Sequence, residues 1–400
     1  MSEPRGTNAL ERRALDAIDE GETLELLSQL IACPSENPPG NEGECARLLA
    51  SFLGHNSIAS RLVEVAPQRP NLYATIGTVG PTLVLCGHLD TVPEGEGWTC
   101  DPFTATVRDG RVYGRGACDM KAGLAAMTGA MLAVERSGVL IEGNLALHAV
   151  IDEEVGSLGA RRAAAEQPGD WVVVTEPSAG QVFAVGNGQL NFEIVFHGKA
   201  VHSSHPEDGR NAIHDAAAFI GVLEAESLRL ATMPEQGIGP ATYSVGLVEG
   251  GSGGSTVADR CELTLDRRVL PSEGLALVEA EVVALLRRLE SERPGLEWEL
   301  SRTVAFPPLT GADNRHLLHV LSEALLDLGA APRVAHNGMR FATDAAWYEA
   351  AGSQAVVFGP GDVAIAHQSD EHVAIDDLNV VTRALVLCCV RLLTSAKGAR

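Results

Sequence analysis

Two histidines and a group of acids follow short apolar runs in this sequence, and together they could form one chemical site. His88 and Asp90 stand in Gly87-His88-Leu89-Asp90-Thr91-Val92-Pro93, directly after the run Leu83-Val84-Leu85-Cys86. Asp119 lies in Gly114-Arg115-Gly116-Ala117-Cys118-Asp119-Met120-Lys121. Glu153 and Glu154 close the run that finishes at Ile151, Glu176 stands in Thr175-Glu176-Pro177, and His367 lies beyond Phe358 in Ala366-His367-Gln368. If the apolar runs are strands, these groups gather at the carboxyl edge of a sheet, where open α/β sheets bind ligands. Imidazoles and carboxylates there form an N/O donor set that suits zinc, cobalt or manganese. One histidine after a strand is more often a plain surface or core residue, and an Asp-Glu-Glu run is more often a solvated loop. The joint pattern carries the argument, because five strand ends would each need such a group by chance.

The surrounding pattern supplies those strands. Leu24, Leu26, Leu27, Leu30 and Ile31 recur at helical spacing before Pro34, and Cys45, Leu48, Leu49 and Leu53 do so after the turn Pro38-Pro39-Gly40. The runs 83–86, 145–151 and 171–174 are continuous enough to be strands covered on both faces. Between the first two, Leu124, Met127, Met131 and Val134 mark a helix ended by Gly138. Strands alternating with helices indicate an α/β fold with a covered sheet. Residues 186–302 read differently. A strand with Phe192, Ile194 and Phe196 precedes a helix over about 212–230, then strands at 242–248 and 257–269. A helix with Leu275, Val278, Val282, Leu285 and Leu289 follows, closed by Pro294, and alternation returns at 296–300. That order, βαββαβ, is the ferredoxin-like α+β pattern. It predicts an inserted domain over 186–302 between a first segment, 1–185, and a last, 303–400, where Ala355-Val356-Val357-Phe358 and a final helix resume the α/β pattern.

The formal net charge is −23, which argues against nucleic acid or an anionic membrane as partner, since both need a basic face. A small anionic substrate held by a few arginines remains compatible with it. The first twenty residues are charged and hold no apolar h-region, so no secretory signal is expected. The apolar run 384–390 is too short to span a bilayer. Eight cysteines form no C-x-x-C pair and fit buried thiols in a reducing, cytoplasmic setting.

The runs Cys86-Gly87-His88-Leu89-Asp90-Thr91-Val92-Pro93, Gly114-Arg115-Gly116-Ala117-Cys118-Asp119-Met120-Lys121-Ala122-Gly123, Asp152-Glu153-Glu154-Val155-Gly156 and Ala366-His367-Gln368-Ser369-Asp370-Glu371 resemble the M20 metallopeptidase family. That family includes acetylornithine deacetylase, succinyl-diaminopimelate desuccinylase, aminoacylases and carboxypeptidases of the G2 type. The similarity runs in the family's order from about Ser35 to the C-terminus. It implies a mixed-sheet metallo-exopeptidase catalytic domain with the ferredoxin-like insert as lid and dimerisation domain. By resemblance, Asp119 bridges two zinc (or cobalt) ions per subunit. His88 and Glu176 complete one site, and Glu154 with His367 the other. Glu153 is then the general base acting on a metal-activated water. Asp90, two residues from His88, is placed to hold that imidazole with its carboxylate.

In Gly198-Lys199-Ala200-Val201-His202-Ser203-Ser204-His205-Pro206 the resemblance gives His202 the task of stabilising an oxyanion in the partner subunit's site, so a homodimer through the insert is expected. On its own His202 is a loop histidine. Leu265-Asp266-Arg267-Arg268 matches the family's D-x-R element and makes Arg268 the clamp for a substrate carboxylate. Where the family commonly has Asn-Val-Val-Pro-Asp, this chain has Ser255-Thr256-Val257-Ala258-Asp259, so Ser255 stands in for an amide that binds substrate. Gly338, Thr343 and Asp344 resemble a substrate-facing loop, with Gly338 as its binding residue, although Thr343 or Asp344 fits a helix N-cap equally well. The expected reaction is hydrolysis of an N-acyl amino acid of the acetylornithine type. The alternative is a zinc carboxypeptidase or dipeptidase acting on small peptides or N-acyl glutamates, and a succinyl-diaminopimelate desuccinylase ranks behind both. A serine hydrolase is a rival through Gly250-Gly251-Ser252-Gly253-Gly254, but the nucleophile elbow needs a helix next and a strand pattern follows. A non-catalytic binding protein on the same scaffold is the other rival, and with all five ligands and the base present nothing favours it.

Overall fold

The protein is described by a computed structural model over residues 6–330 and 337–394, so the outermost ends of the first and last segments lie outside the described residues. These residues form two compact units. The first runs to Ala184, resumes over 311–330 and continues from Asp344; the second comprises Val185–Thr310 and Asn337–Thr343.

A six-stranded mixed sheet organises the first unit, in the order Ser60–Ala66, Arg69–Gly77, Asn144–Val150, Thr82–His88, Trp171–Val174, Gln354–Val357. The last four strands are mutually parallel and the first two are antiparallel to their neighbours. Register aligns the carboxyl ends: His88 lies opposite Val150, and Val174 lies between Cys86 and Val357. Parallel strands are covered on both faces. One cover is the helix Lys121–Ser137, buried all round from Lys121 to Val134, with Ala and Gly between its large residues. Gly138 ends it in the left-handed region at φ 61°. The helix Ile375–Leu393 carries the 384–390 run as core, Cys388 and Cys389 included. No helix among the described residues is long and apolar enough to cross a membrane. All eight cysteines are free, and seven are buried.

Asp119 departs from the strand-end expectation. It lies on the loop between the short strand Arg111–Tyr113 and the helix Lys121–Ser137, and that strand belongs to a separate three-stranded sheet with Thr106–Arg108 and His372–Ala374.

The second unit is ferredoxin-like. Its antiparallel sheet runs Glu297–Phe306, Gly188–His197, Arg260–Val269, Thr242–Gly250, with the helices Ala212–Ala231 and Leu275–Glu292. Leu190, Phe192, Ile194, Phe196, Leu263 and Leu265 form its core with Phe219, Val278, Val282 and Leu286. Two details differ from the sequence pattern. The third strand starts at Arg260, because residues 257–259 bond outside the strand pairing, to Val201, Ala212 and Gly198. Asn337–Thr343 returns to this unit, with the Met339 N–H donating to Val185 O (2.9 Å) and the Asn187 N–H to Met339 O (3.0 Å).

Met131→Ala removes a fully buried side chain and is expected to cost about 2–5 kcal/mol in urea unfolding, whereas Leu140→Ala, at a site 89% exposed, stays within about 0.5 kcal/mol.

Candidate metal centre

The sheet edge and the Asp119 loop bring all five expected ligands together. His88 Nε2 is 3.1 Å from Asp119 Oδ1 and 3.6 Å from Glu176 Oε1. His367 Nε2 is 3.2 Å from Asp119 Oδ2 and 3.2 Å from Glu154 Oε2. One carboxylate therefore offers a separate oxygen to each imidazole. Donors held about 2.0–2.2 Å from a tetrahedral ion stand about 3.3–3.6 Å apart, close to these spacings. Donor atoms of His88, Glu153 and Glu176, and likewise of His88, Asp119 and Glu154, lie within 4.8 Å of one another. Glu154 Oε1 is buried without a hydrogen-bond partner, an orphan that a cation would satisfy. The donor set fits paired divalent ions.

His88 is held by Asp90, but not as expected. The Asp90 carbonyl oxygen accepts from Nδ1 at 2.9 Å, while the carboxylate is 3.6 Å away. A carbonyl can only accept, so Nδ1 carries the hydrogen and Nε2 faces Asp119. The carboxylate instead holds the opposite side of the site: Oδ1 accepts the Glu153 N–H (3.2 Å) and Oδ2 the Glu154 N–H (3.1 Å). Asn37 donates to Asp90 Oδ2 (2.9 Å) and Asp152 Oδ1 (3.0 Å), and Arg69 ties Asp152 to Glu42.

Electrostatics follow from crowding. Burial pushes Glu153 well above the usual carboxylate range, and Glu176 adds repulsion. Burial and then Asp119 push Glu176 up to about 8. Burial also raises Glu154. Contacts with Asp119 and Glu154 raise His367 to about 10. For Asp119, burial is outweighed by the two imidazoles, which hold it below the usual range.

The profile described as Peptidase family M20/M25/M40 matches residues 84–390. This chain belongs to that family. It is 33% identical over 377 residues to a succinyl-diaminopimelate desuccinylase from Stenotrophomonas maltophilia (90% of this chain, 96% of that protein). It is 32% identical over 367 residues to an acetylornithine deacetylase from Proteus mirabilis (88% and 91%). An M20 family metallo-carboxypeptidase structure from Sulfolobus solfataricus shares the fold, with TM-score 0.76, 21% identity, and coverage of 92% of this chain and 98% of that one. A dinuclear metal binding peptidase from Bacillus subtilis does so at TM-score 0.71, 18% identity, 94% and 98% coverage. As an M20 enzyme the protein is a metal-dependent amidohydrolase.

The other expected residues, apart from Asp344, lie in the second unit. His202 is exposed, with Nδ1 accepting the Ser204 N–H (3.1 Å), which leaves Nε2–H free to donate. The Ser203 N–H donates to Ser255 O (3.0 Å), so His202 and Ser255 are neighbours. Strand alternation buries Arg267 against Glu273 and Tyr243, and turns Arg268 to the opposite face beside Asp266. Gly338 packs on Ile238; a Cβ there would lie 2.6 Å from its side chain. Asp344 does precede the helix Ala345–Ala350, yet its carboxylate does not cap it and bonds Ser157 instead. The Gly250–Gly254 stretch is part of the connection between the strands Thr242–Gly250 and Arg260–Val269, without a following helix. Sequence reading missed Asn37, Arg69, Asp152, Ser157 and Glu371. Asp152 and Glu371 had a local signal, opening and closing quoted runs; Asn37, Arg69 and Ser157 had none.

In the metal-free folded protein Glu176 and His367, both raised, hold protons that the unfolded chain releases across about pH 5–9, so the stability they contribute falls as pH rises there. Asp119, lowered, acts in the opposite sense only in acid, while His148, pushed down to about 3 by burial, and Cys33, lowered to about 7 by Cys45, offset part of the fall. Chelator-treated protein is expected to lose at least about 4 °C in melting temperature from pH 5.5 to 9, and zinc-loaded protein to lose much less. Matching profiles would contradict the shared site.

Proposed function

We propose that this chain is an N-acyl amino acid deacylase of the acetylornithine type, working as a homodimer with zinc as physiological metal, cobalt as substitute, and Glu153 as general base. The observation that carries the reading is the Asp119 carboxylate set between His88 and His367, with Glu153 close to His88 and Glu176. Paired divalent cations there supply Lewis acidity for a carbonyl oxygen and make a bound water more acidic. Asp119, His88 and Glu176 would hold one cation, Asp119, Glu154 and His367 the other. Glu153 takes a proton from the attacking water and returns it to the departing amine nitrogen. Asp90 keeps Glu153 in reach through its backbone N–H. Arg268 pairs with the substrate carboxylate, Ser255 and Gly338 contribute to binding, and His202 Nε2–H donates to the oxyanion.

Two features support a dimer. His202 and Ser255 lie near the Arg260 end of the strand Arg260–Val269, and Arg268 near the other, about 26 Å away at ~3.3 Å per residue. A small substrate cannot touch both ends from one chain, so the partner subunit supplies His202 as the donor, and Ser255 with it. The edge strand Thr242–Gly250 also exposes Leu247 and Val248, which a second copy would cover. Desuccinylation is the second reading, favoured by the 33% identity to the Stenotrophomonas enzyme.

Initial rates on N-acetyl, N-succinyl, N-formyl and N-carbamoyl amino acids and on dipeptides, with zinc or cobalt, test the substrate class. N-acetylornithine-type compounds are expected to lead; faster dipeptide cleavage would overturn the deacylase reading. Glu153→Gln is expected to lower kcat by about 10²–10⁴-fold with both metals retained. Mixing inactive Glu153→Gln with inactive His202→Ala should restore up to about a quarter of wild-type activity, because a two-fold heterodimer rebuilds one intact site. No recovery on subunit exchange would remove the cross-subunit role.

A further inference from the structure

Glu371 is the residue with the most bonds to the Asp119 loop, and the reaction as described gives it no task. Its side chain is 1% exposed, and it follows His367 by four residues. Oε1 accepts the Cys118 N–H at 2.8 Å and the Asp119 N–H at 2.9 Å. Oε2 accepts the Gly116 N–H at 3.1 Å and Arg115 Nη1 at 2.5 Å. Its backbone carbonyl accepts the Gly114 N–H at 3.0 Å. The remaining amides of residues 114–119 are met elsewhere: Arg115 donates to Pro102 O and Ala117 to Gly114 O. Four of the six backbone donors of this loop therefore converge on one residue. Such a loop has no regular secondary structure to fix it, and its buried N–H groups must find partners. Gly116 sits at φ +78°, where a Cβ would lie 2.7 Å from Thr91, so the loop is closely packed as well.

We propose that Glu371 is a positioning residue for the metal centre: by gathering the amides of residues 114–119 it aims the Asp119 carboxylate and so sets the affinity for both cations. The inference rests on the reading that Asp119 is shared by two metal ions. One segment then presents His367 to Asp119 Oδ2 and, one helical turn's worth of residues later, grips the backbone that carries Asp119. Because Asp119 serves both ions, loosening it weakens both, whereas losing a ligand private to one ion weakens that one. Glu371 touches neither ion nor substrate, so its loss acts through geometry.

Cobalt and zinc titrations of metal-free wild type, Glu371→Gln and Glu371→Ala, read by competition with a chromophoric chelator and by the visible cobalt spectrum, test this. Gln keeps the shape but has one acceptor oxygen, so part of the cage is lost. The expected result is a weakening of about 10–100-fold at both sites, largest for Ala, with KM little changed at saturating metal. Unchanged affinity at both sites in folded Glu371→Gln overturns the inference, as does weakening at one site alone. Wild type that takes up fewer than two cobalt ions overturns the underlying metal reading instead. Hydrogen exchange on metal-free wild type decides the matter without any variant: the Cys118 and Asp119 amides are expected to be protected as strongly as with zinc bound. Fast exchange there without metal would mean that the ions hold the loop and Glu371 does not.

Discussion

Four carboxylates, those of Asp119, Glu153, Glu154 and Glu176, meet two imidazoles in a largely buried place, and the rest of the structure answers to the cost of that gathering. Like charges about 4–5 Å apart repel by about 3–4 kcal/mol at an effective dielectric of 20. Protons or cations must offset this. Without cations the pressure shows in Glu153, raised by burial and by Glu176, and in Glu176, raised by burial and by Asp119. The position of Asp119 determines whether the offset is shared, since each of its oxygens meets a different histidine.

Holding that carboxylate requires structure far from it in sequence. The parallel strands align His88 with Val150 and Cys86 with Val174, the strand ends from which Glu154 and Glu176 follow, through backbone register, which is rigid and independent of side-chain identity. The irregular parts need side chains. Asp90 receives the amides of Glu153 and Glu154, Asn37 and Arg69 brace Asp90 and Asp152, and Glu371 receives the amides around Asp119. Buried acids thus fix the turns that carry other buried acids, and paired cations held by those acids would complete the charge balance.

Much of this was legible in the chain. Continuous apolar runs at 83–86, 145–151 and 171–174 located three strands of the sheet, and His88, Glu154 and Glu176, which follow them, are three of the five groups that gather at its edge. The βαββαβ order of the insert followed from periodicity alone. The rest depended on contacts between distant segments. Nothing local marks Asn37 or Arg69, whose partners lie 27 to 115 residues away along the chain. Asp90 shows the same limit in another form: spacing placed it beside His88, but only the folded backbone distinguishes its carbonyl, which meets the imidazole, from its carboxylate, which holds the neighbouring turn. Asp119 lies on a loop of a separate small sheet, which no hydrophobic pattern announces. The return of Asn337–Thr343 to the second unit was likewise invisible, because it rests on backbone bonds to Val185 and Asn187.

Anomalous diffraction at the zinc edge from crystals of metal-loaded protein would show whether two ions share Asp119. Two peaks about 3.5–4 Å apart are expected. One should contact His88, Asp119 and Glu176, the other Asp119, Glu154 and His367, with Glu153 bound to neither. A single peak, or two peaks that do not share the Asp119 carboxylate, would contradict the shared site.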